Sequence, residues 1–203
     1  MKSESITYLD SKSKSYQLIF EAARELMYRH GIRRITVDEI CEAAKLSKMT
    51  FYRNFENKTE LAVRIMEDMF QRGRTAYREI MHSEVPFPEK IRLLIELNRN
   101  EIHTMGDEFI KDIYQSGDGS LRKVMETHRQ EFMTEYAGDL LAAQKEGWIR
   151  PGIRIELILA MLDTLHQKMQ DPAIMNMYDS LEEMALELTN FFFYGILTPE
   201  TAP

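Results

Sequence analysis

Side chains that can hydrogen-bond to flat polar surfaces are concentrated in one short segment of the sequence. After Ser47 come Lys48, Met49, Thr50, Tyr52, Arg53 and Asn54. Lysine can donate to guanine O6 and N7, asparagine can pair with adenine, and the threonine methyl can contact thymine. These residue types in this pattern therefore indicate that the segment recognises nucleic acid through direct side-chain contacts.

The segment must lie on a short helix if its side chains are to enter a major groove about 12 Å wide. Ser47 is well placed as the N-cap of a helix over about Lys48 to Phe55. Phe51 and Phe55 are four residues apart and form its apolar inner face. They can pack against a preceding short helix through Val37, Ile40 and Ala44, which predicts a helix-turn-helix.

The neighbouring elements are also predicted to be helical. Apolar positions of helical spacing run from Ile19 to His30, and Gly31 follows where a helix would end. Thr36 and Glu39 form a capping box at the start of the second helix. The segment 57–60 repeats the capping pattern and opens a fourth helix through about Met81.

Residues 15–64 resemble the DNA-binding domain of the TetR (tetracycline-repressor-like) family. The similarity lies in the Thr36 start, the serine before the recognition helix, the Thr-aromatic-Tyr centre and the Phe-x-Asn-Lys-x-x-Leu exit ending at Leu61. Three residues depart from the usual family pattern. Lys45 and Met49 stand where glycine, proline or a small residue is common, and Asn54 stands where histidine is common.

The resemblance implies a role for each matching residue. Thr36, Tyr52 and Lys58 match positions that usually bind phosphates, which sets the register of the protein on the duplex. Base-reading positions are matched by Lys48, Thr50 and Asn54, with Met49 adding apolar contact and Ser47 and Arg53 completing the predicted set. Three of these residues have alternative interpretations: Tyr52 as a packing residue, Asn54 as a helix C-cap and Met49 as a merely exposed side chain.

The charge of the chain is distributed unevenly along its length. The net charge is −7 over 203 residues. Residues 1–64 carry 12 Lys+Arg against 9 Asp+Glu, whereas the remainder carries 14 against 24. A modestly basic end on an acidic body can still bind DNA, because phosphate affinity depends on local charge. Arg33, Arg34, Lys12 and Lys14 are further candidates for phosphate contact or for a solvated surface.

Composition argues against several other classes of protein. We expect no secretory signal in the polar N-terminus, no membrane span and, with Cys41 as the single cysteine, no internal disulfide, which is consistent with the cytoplasm. The pairs His128/Glu131 and His103/Asp107 lack further ligands, so no metal is expected. A nucleophile elbow and a phosphate-binding glycine loop are also missing, so we expect neither an enzyme nor a cofactor.

The rest of the chain is predicted to be a helical body that dimerises. The resemblance implies that this body encloses a small-molecule pocket, as is frequent in the family. Adaptable methionine and aromatic side chains are candidate pocket residues: Met66, Met69, Met105, Phe109, Tyr114, Met125, Phe132, Tyr136 and Met161. Two helices with apolar residues beyond the needs of one core are the candidate dimer interface, with Ile158, Leu162, Leu165, Leu188, Phe191 and Phe192. The alternatives are an ordinary core for the methionines and a wide intramolecular core for the two helices.

The sequence thus predicts an all-α chain with a flexible arm (1–14), a three-helix helix-turn-helix domain (15–62) and a helical bundle for ligand binding and dimerisation (63–203). The expected function is a transcriptional regulator, a repressor released from a palindromic operator by a small apolar effector, through a tilt of the fourth helix. The alternative is a TetR-like regulator without a small-molecule pocket, controlled by a protein partner.

Overall fold

The computed structural model describes residues 12–114, 119–168 and 171–196, and residues 1–11 of the predicted arm lie outside these ranges. The described residues form helices without strands. In chain order the helices are α1 (Lys14–His30), α2 (Val37–Ala44), α3 (Lys48–Asn54), α4 (Lys58–Met81), α5 (Phe87–Thr104), α6 (Asp107–Tyr114), α7 (Gly119–Lys145), α8 (Ile155–Lys168), α9 (Pro172–Met175) and α10 (Leu181–Ile196).

The chain divides into two compact units. The first unit comprises the residues up to Thr75 together with Thr104–His128, and the second comprises Ala76–His103 with the residues from Arg129 onward. The first unit therefore contains all of the predicted DNA-binding segment and adds residues from later in the chain. The predicted functional boundary at residue 62 stays a prediction.

The core of the first unit is built around the inner face of α1. Ile19, Phe20 and Met27 of α1 are almost completely buried, as are Phe51 of α3 and Phe109 of α6. Burying a side chain of this size contributes about 1.5–3 kcal/mol, so each helix is stabilised by its contacts with this core rather than by its intrinsic propensity.

The second unit has its own core, in which aromatic residues are prominent. Tyr77, Tyr136 and Phe192 are buried in it, and Phe132 stacks on Tyr136 with ring centroids 5.5 Å apart. The buried Tyr77 hydroxyl donates a hydrogen bond of 2.7 Å to Asp139, which satisfies a polar group that would otherwise be costly to bury.

The all-α prediction is confirmed, and the observed helix ends lie close to the predicted ones. The main difference is the short helix α9, where the sequence suggested only a break at Asp171 and Pro172. Asp171 caps this helix, because its carboxylate accepts a hydrogen bond from the Ala173 N–H at 3.0 Å. No helix in the described ranges has the length and hydropathy needed to cross a membrane.

Candidate nucleic-acid interface

Helix α2 begins with the capping box that the sequence predicts. The Glu39 N–H donates to the Thr36 hydroxyl at 3.2 Å, and the Thr36 N–H donates to the Glu39 carboxylate at 2.7 Å. The Thr36 hydroxyl also donates to that carboxylate, and this hydrogen bond and the backbone one hold the pKa of Glu39 below its ordinary value. The start of α2 is thereby held by its own side chains.

The turn between α2 and α3 passes through a left-handed residue. Lys45 has φ of 56°, and the next N–H, that of Leu46, donates to the Cys41 carbonyl at 3.0 Å. Glycine is favoured at this conformation because it lacks a Cβ. The turn keeps its geometry with lysine, although the sequence departs here from the usual family pattern.

The orientation of helix α3 about its axis is fixed by its buried aromatic residues and by its N-cap. Ser47 Oγ accepts a hydrogen bond from the Thr50 N–H at 3.2 Å, which places the first turn. Phe51 and Phe55 are buried with ring centroids 5.8 Å apart. Met49 is 84% exposed and Tyr52 is 56% exposed, so they are left on the solvent side. The predicted recognition surface is therefore formed by the outer face of α3.

Three neighbouring residues at the start of α3, Ser47, Lys48 and Thr50, have polar ends that are already engaged within the domain. Lys48 Nζ lies 2.7 Å from the Asp38 carboxylate, and this contact raises the pKa of Lys48. The hydroxyls of Ser47 and Thr50 are 3.0 Å apart. The Lys48 pair is exposed on both sides and weak enough to exchange for DNA.

Asn54 joins α3 to the start of α1. Its amide nitrogen donates to the Thr50 carbonyl at 2.7 Å and to Ser15 Oγ at 3.3 Å, while its oxygen accepts from Ser13 Oγ at 3.2 Å. Because the amide is used in these contacts, the structure gives Asn54 a positioning role. Contact with adenine stays a prediction that would require the amide to turn.

Lys58 anchors the loop between α1 and α2. Its ammonium donates to the backbone carbonyls of Ile32, Arg33 and Ile35 at 2.8, 3.1 and 2.6 Å. An ammonium has three protons, so these three bonds use its donors fully. Burial lowers the pKa of Lys58. The phosphate contact that the family resemblance implies stays a prediction, and the observed role of Lys58 is to hold the loop.

A second anchor of the same loop comes from α6, far away in sequence. Asp112 Oδ2 accepts a hydrogen bond from the Arg33 N–H at 2.8 Å, and Asp112 Oδ1 lies 3.3 Å from Arg33 Nε. Sequence reasoning missed Asp112, since nothing in the local pattern of α6 points to residue 33. Asp112 and Lys58 together fix the loop that leads into the Thr36 cap.

Residues 19–65 match the family model described as bacterial regulatory proteins of the tetR family. This match identifies a DNA-binding segment of the tetR type within the chain. A curated relative is the uncharacterized HTH-type transcriptional regulator YhgD of Bacillus subtilis, 23% identical over 137 residues, which are 66% of this chain and 72% of the relative. The segment match and this relative support a transcriptional regulator with a helix-turn-helix.

Solved TetR-like structures share the fold over nearly the whole chain. The regulatory protein TetR from Rhodobacter sphaeroides superposes with a TM-score of 0.72 at 16% identity and covers 91% of this chain and 100% of its own. A protein from Saccharomonospora viridis, described as a transcriptional regulator and solved in complex with choline, gives a TM-score of 0.73 at 15% identity, covering 92% of this chain and 100% of its own. At these identities the likeness shows the fold alone.

The candidate pocket residues are distributed over both units. The first unit holds six of them, with Met66 and Phe109 fully buried in its core: Met66, Met69, Met105, Phe109, Tyr114 and Met125. Burial raises the pKa of Tyr114 to about 12. The second unit holds Phe132, Tyr136 and Met161, and Met161 is exposed. Their role in ligand binding stays a prediction.

The structure also describes an open groove on the helix-turn-helix domain. It has a volume of about 370 Å³, and Leu26, His30, Arg34 and Glu39 are among the residues that line it. None of the predicted pocket residues lies in this groove.

The candidate dimer residues differ in how far they are buried. Ile158 and Phe192 lie in the core of the second unit, and Leu162 and Leu165 pack against that core. Phe191 is 72% exposed, and Leu188 is of intermediate exposure. Two residues outside the predicted interface set, Leu157 and Met161, are exposed on α8. A side chain that is already buried cannot contact a partner without repacking, so the exposed residues are the better candidates.

Proposed function

We propose that this regulator is a homodimeric repressor that acts in the cytoplasm, where its DNA is, and is released from a palindromic operator by a small-molecule effector. The observation that carries the DNA-binding part is the orientation of α3. Its aromatic inner face is buried through Phe51 and Phe55, while Met49, Tyr52 and Arg53 are exposed beside one another. A recognition helix needs this arrangement to enter the major groove.

Some of the exposed residues are assigned to phosphates and others to bases. Tyr52 and Thr36 contact phosphates and set the register of α3 in the groove. Arg53 and Lys48 supply cationic donors for phosphates or guanine, and Thr50 reaches a base with its methyl group. Each phosphate that such a residue neutralises contributes about one unit to the logarithmic salt dependence of binding.

Dimerisation is supported by the apolar side chains that the second unit leaves in solvent. Leu157 and Met161 lie four residues apart on one face of α8, and Phe191 lies on α10. Two such helices from each protomer would bury these residues in a four-helix interface whose two-fold axis matches a palindromic site. We expect Met161→Glu to produce a monomer in sedimentation equilibrium, and Glu156→Gln, at an exposed polar position, to stay dimeric.

Effector release is supported by the fold relatives and by residue composition. The Saccharomonospora viridis protein was solved with choline, a small organic ligand. The candidate pocket residues of our chain are methionines and aromatics, which adapt to varied apolar groups. A hundredfold change in operator occupancy needs about 2.7 kcal/mol of differential affinity of the effector for the two states.

The alternative function is DNA binding under the control of a protein partner. It is favoured by one observation: Met66 and Phe109, two of the candidate pocket residues, are fully buried within the packed core of the first unit. A closely packed core offers no room to an effector at those two positions.

Fluorescence anisotropy on labelled DNA from the region upstream of the protein's own gene tests the DNA-binding function. We expect tight binding that resists a scrambled competitor and that Tyr52→Ala abolishes. Tyr178→Ala, a tyrosine of the second unit, is the control and should bind like wild type. Equal, weak binding to both DNAs would contradict specific recognition at this site.

The same assay separates the two modes of control. A panel of small apolar and cationic organic molecules is added to the preformed complex, and release of DNA by any of them supports the effector model. If every compound fails to release the DNA while a protein from the same cells does so, the alternative is favoured.

A further inference from the structure

Met49 has the largest exposed fraction among the large apolar side chains of the described residues. It is 84% exposed, compared with 72% for Phe191 and 69% for Met177. Exposing an apolar side chain of this size costs free energy that burial against a partner would recover. Its position on α3, the second residue after the Ser47 cap, places it in the turn that enters the groove first.

The direction of the Met49 side chain follows from the buried position of Phe51 on the same helix. Successive residues of an α-helix are about 100° apart, so Met49 lies about 200° around α3 from Phe51. Phe51 is fully buried and packs edge-on against Tyr52 with centroids 5.3 Å apart. Met49 therefore points away from the core of its own domain.

The polar neighbours of Met49 have partners within the domain before DNA arrives. Lys48 is paired with Asp38, and the Thr50 hydroxyl contacts that of Ser47. These groups must give up a contact in order to bind a base, whereas the Met49 thioether has none to give up. Apolar contact by Met49, like contact by the Thr50 methyl group, therefore breaks no polar contact of this turn.

We propose that Met49 reads the 5-methyl group of a thymine in each half of the operator, an inference that rests on the proposed DNA-binding function. The thymine methyl is the apolar group that a base pair presents in the major groove. Methionine is flexible and polarizable, so it can close around a methyl group without an ideal approach. Discrimination at this position comes from burying a methyl group and not from a hydrogen bond.

The experiment begins with the full-length protein selecting its own binding site from a library of random duplexes. Each thymine of the selected site is then replaced singly by deoxyuridine, which removes only the methyl group. Dissociation constants are measured by anisotropy for wild type, Met49→Ala and the control Met177→Ala, whose residue is an exposed methionine of the second unit. Circular dichroism melting checks that all three proteins are equally folded.

We expect one thymine in each half-site at which removal of the base's methyl group weakens binding about fourfold for wild type and for Met177→Ala. This is the effect of burying one methyl group. At that thymine Met49→Ala should lose nothing. The inference is overturned if every deoxyuridine substitution affects Met49→Ala as much as wild type. A selection that enriches no sequence would instead contradict the proposed function, and the inference would fall with it.

Discussion

The carboxylate of Asp112 holds the backbone of Arg33, accepting its N–H at 2.8 Å across a sequence separation of 79 residues. The Asp112 side chain is only 13% exposed, and the negative charge of its carboxylate strengthens the bond. This contact links helix α6 to the loop that precedes the Thr36 cap. The local geometry of the DNA-binding segment therefore depends on a residue far outside that segment.

Asp112→Ala should destabilise the protein by about 1.5–3 kcal/mol, the usual contribution of a hydrogen bond to a charged group. The reason is that the Arg33 N–H loses its acceptor. Urea unfolding followed by circular dichroism measures the change. Glu108→Ala, on the same helix but in an exposed pair with Lys111, should unfold close to wild type. Equal stability of the two variants would refute the role given to Asp112.

Gly31→Ala should be among the most damaging single-methyl additions in the first unit. Gly31 has φ of 85° and ψ of 160°, a region that essentially only glycine occupies, and an added Cβ would lie 2.7 Å from Asp112 Oδ2. We expect a loss of at least about 2 kcal/mol in unfolding free energy, combining backbone strain with displacement of the Asp112 carboxylate.

The matched control for Gly31 is Gly73→Ala. Gly73 lies within α4, and an added Cβ there meets nothing within 4 Å. Alanine is better than glycine in a helix interior by about 0.8–1.0 kcal/mol, so this variant should be more stable than wild type. Opposite shifts in the two urea midpoints are expected, and a loss of stability in both variants would argue against the conformational explanation.

Lys58→Met should lower stability by about 1–3 kcal/mol, because the loop carbonyls of Ile32 and Ile35 would be left without their donor in a partly buried site. The salt dependence of DNA binding should keep its slope, since the three ammonium protons are engaged inside the domain. Lys14→Met serves as an exposed lysine control in the unfolding measurement. A fall of about one unit in the salt slope for Lys58→Met would instead support the phosphate contact that the family resemblance implies.

Glu39 should make stability depend on pH in the acid range. Hydrogen bonds from Thr36 hold the pKa of Glu39 below its ordinary value of 4.5, so the charged form is the one that the fold favours. A lowered carboxyl pKa contributes stability above the unfolded value, and this is lost as pH falls through the folded value. Wild type should melt above Glu39→Gln at pH 7, and the difference should shrink below pH 4.5. A constant difference across this range would contradict the assignment.

Lys45→Gly should stabilise the helix-turn-helix by about 0.5–1 kcal/mol, because Lys45 has φ of 56° and glycine removes the Cβ that disfavours this conformation. Lys45→Ala keeps a Cβ and should leave the unfolding free energy nearly unchanged. The comparison separates backbone conformation from loss of the lysine charge. If Lys45→Ala stabilises as much as Lys45→Gly, charge is responsible.

Local signals account for the parts that could be predicted from the sequence. The capping box of Thr36 and Glu39 and the N-cap Ser47 depend on residues three positions apart, so their chemistry is readable from the printed sequence. The helix-turn-helix follows from these caps and from the spacing of Phe51 and Phe55. Helix periodicity likewise predicts the long helices of the body, although it says less about which side of each helix meets a core.

The sequence by itself determined the helices, their caps and the family of the DNA-binding domain, because those features arise from interactions within a few residues. Only the tertiary structure decided that Asp112 and Lys58 hold the loop from Ile32 to Ile35, since hydrogen bonds between a side chain and backbone groups distant in sequence leave no pattern in residue spacing. It also decided that Ile158 is buried and Leu157 exposed. Both are apolar neighbours on one helix, and which of them faces the core depends on how that helix packs against the rest of its unit.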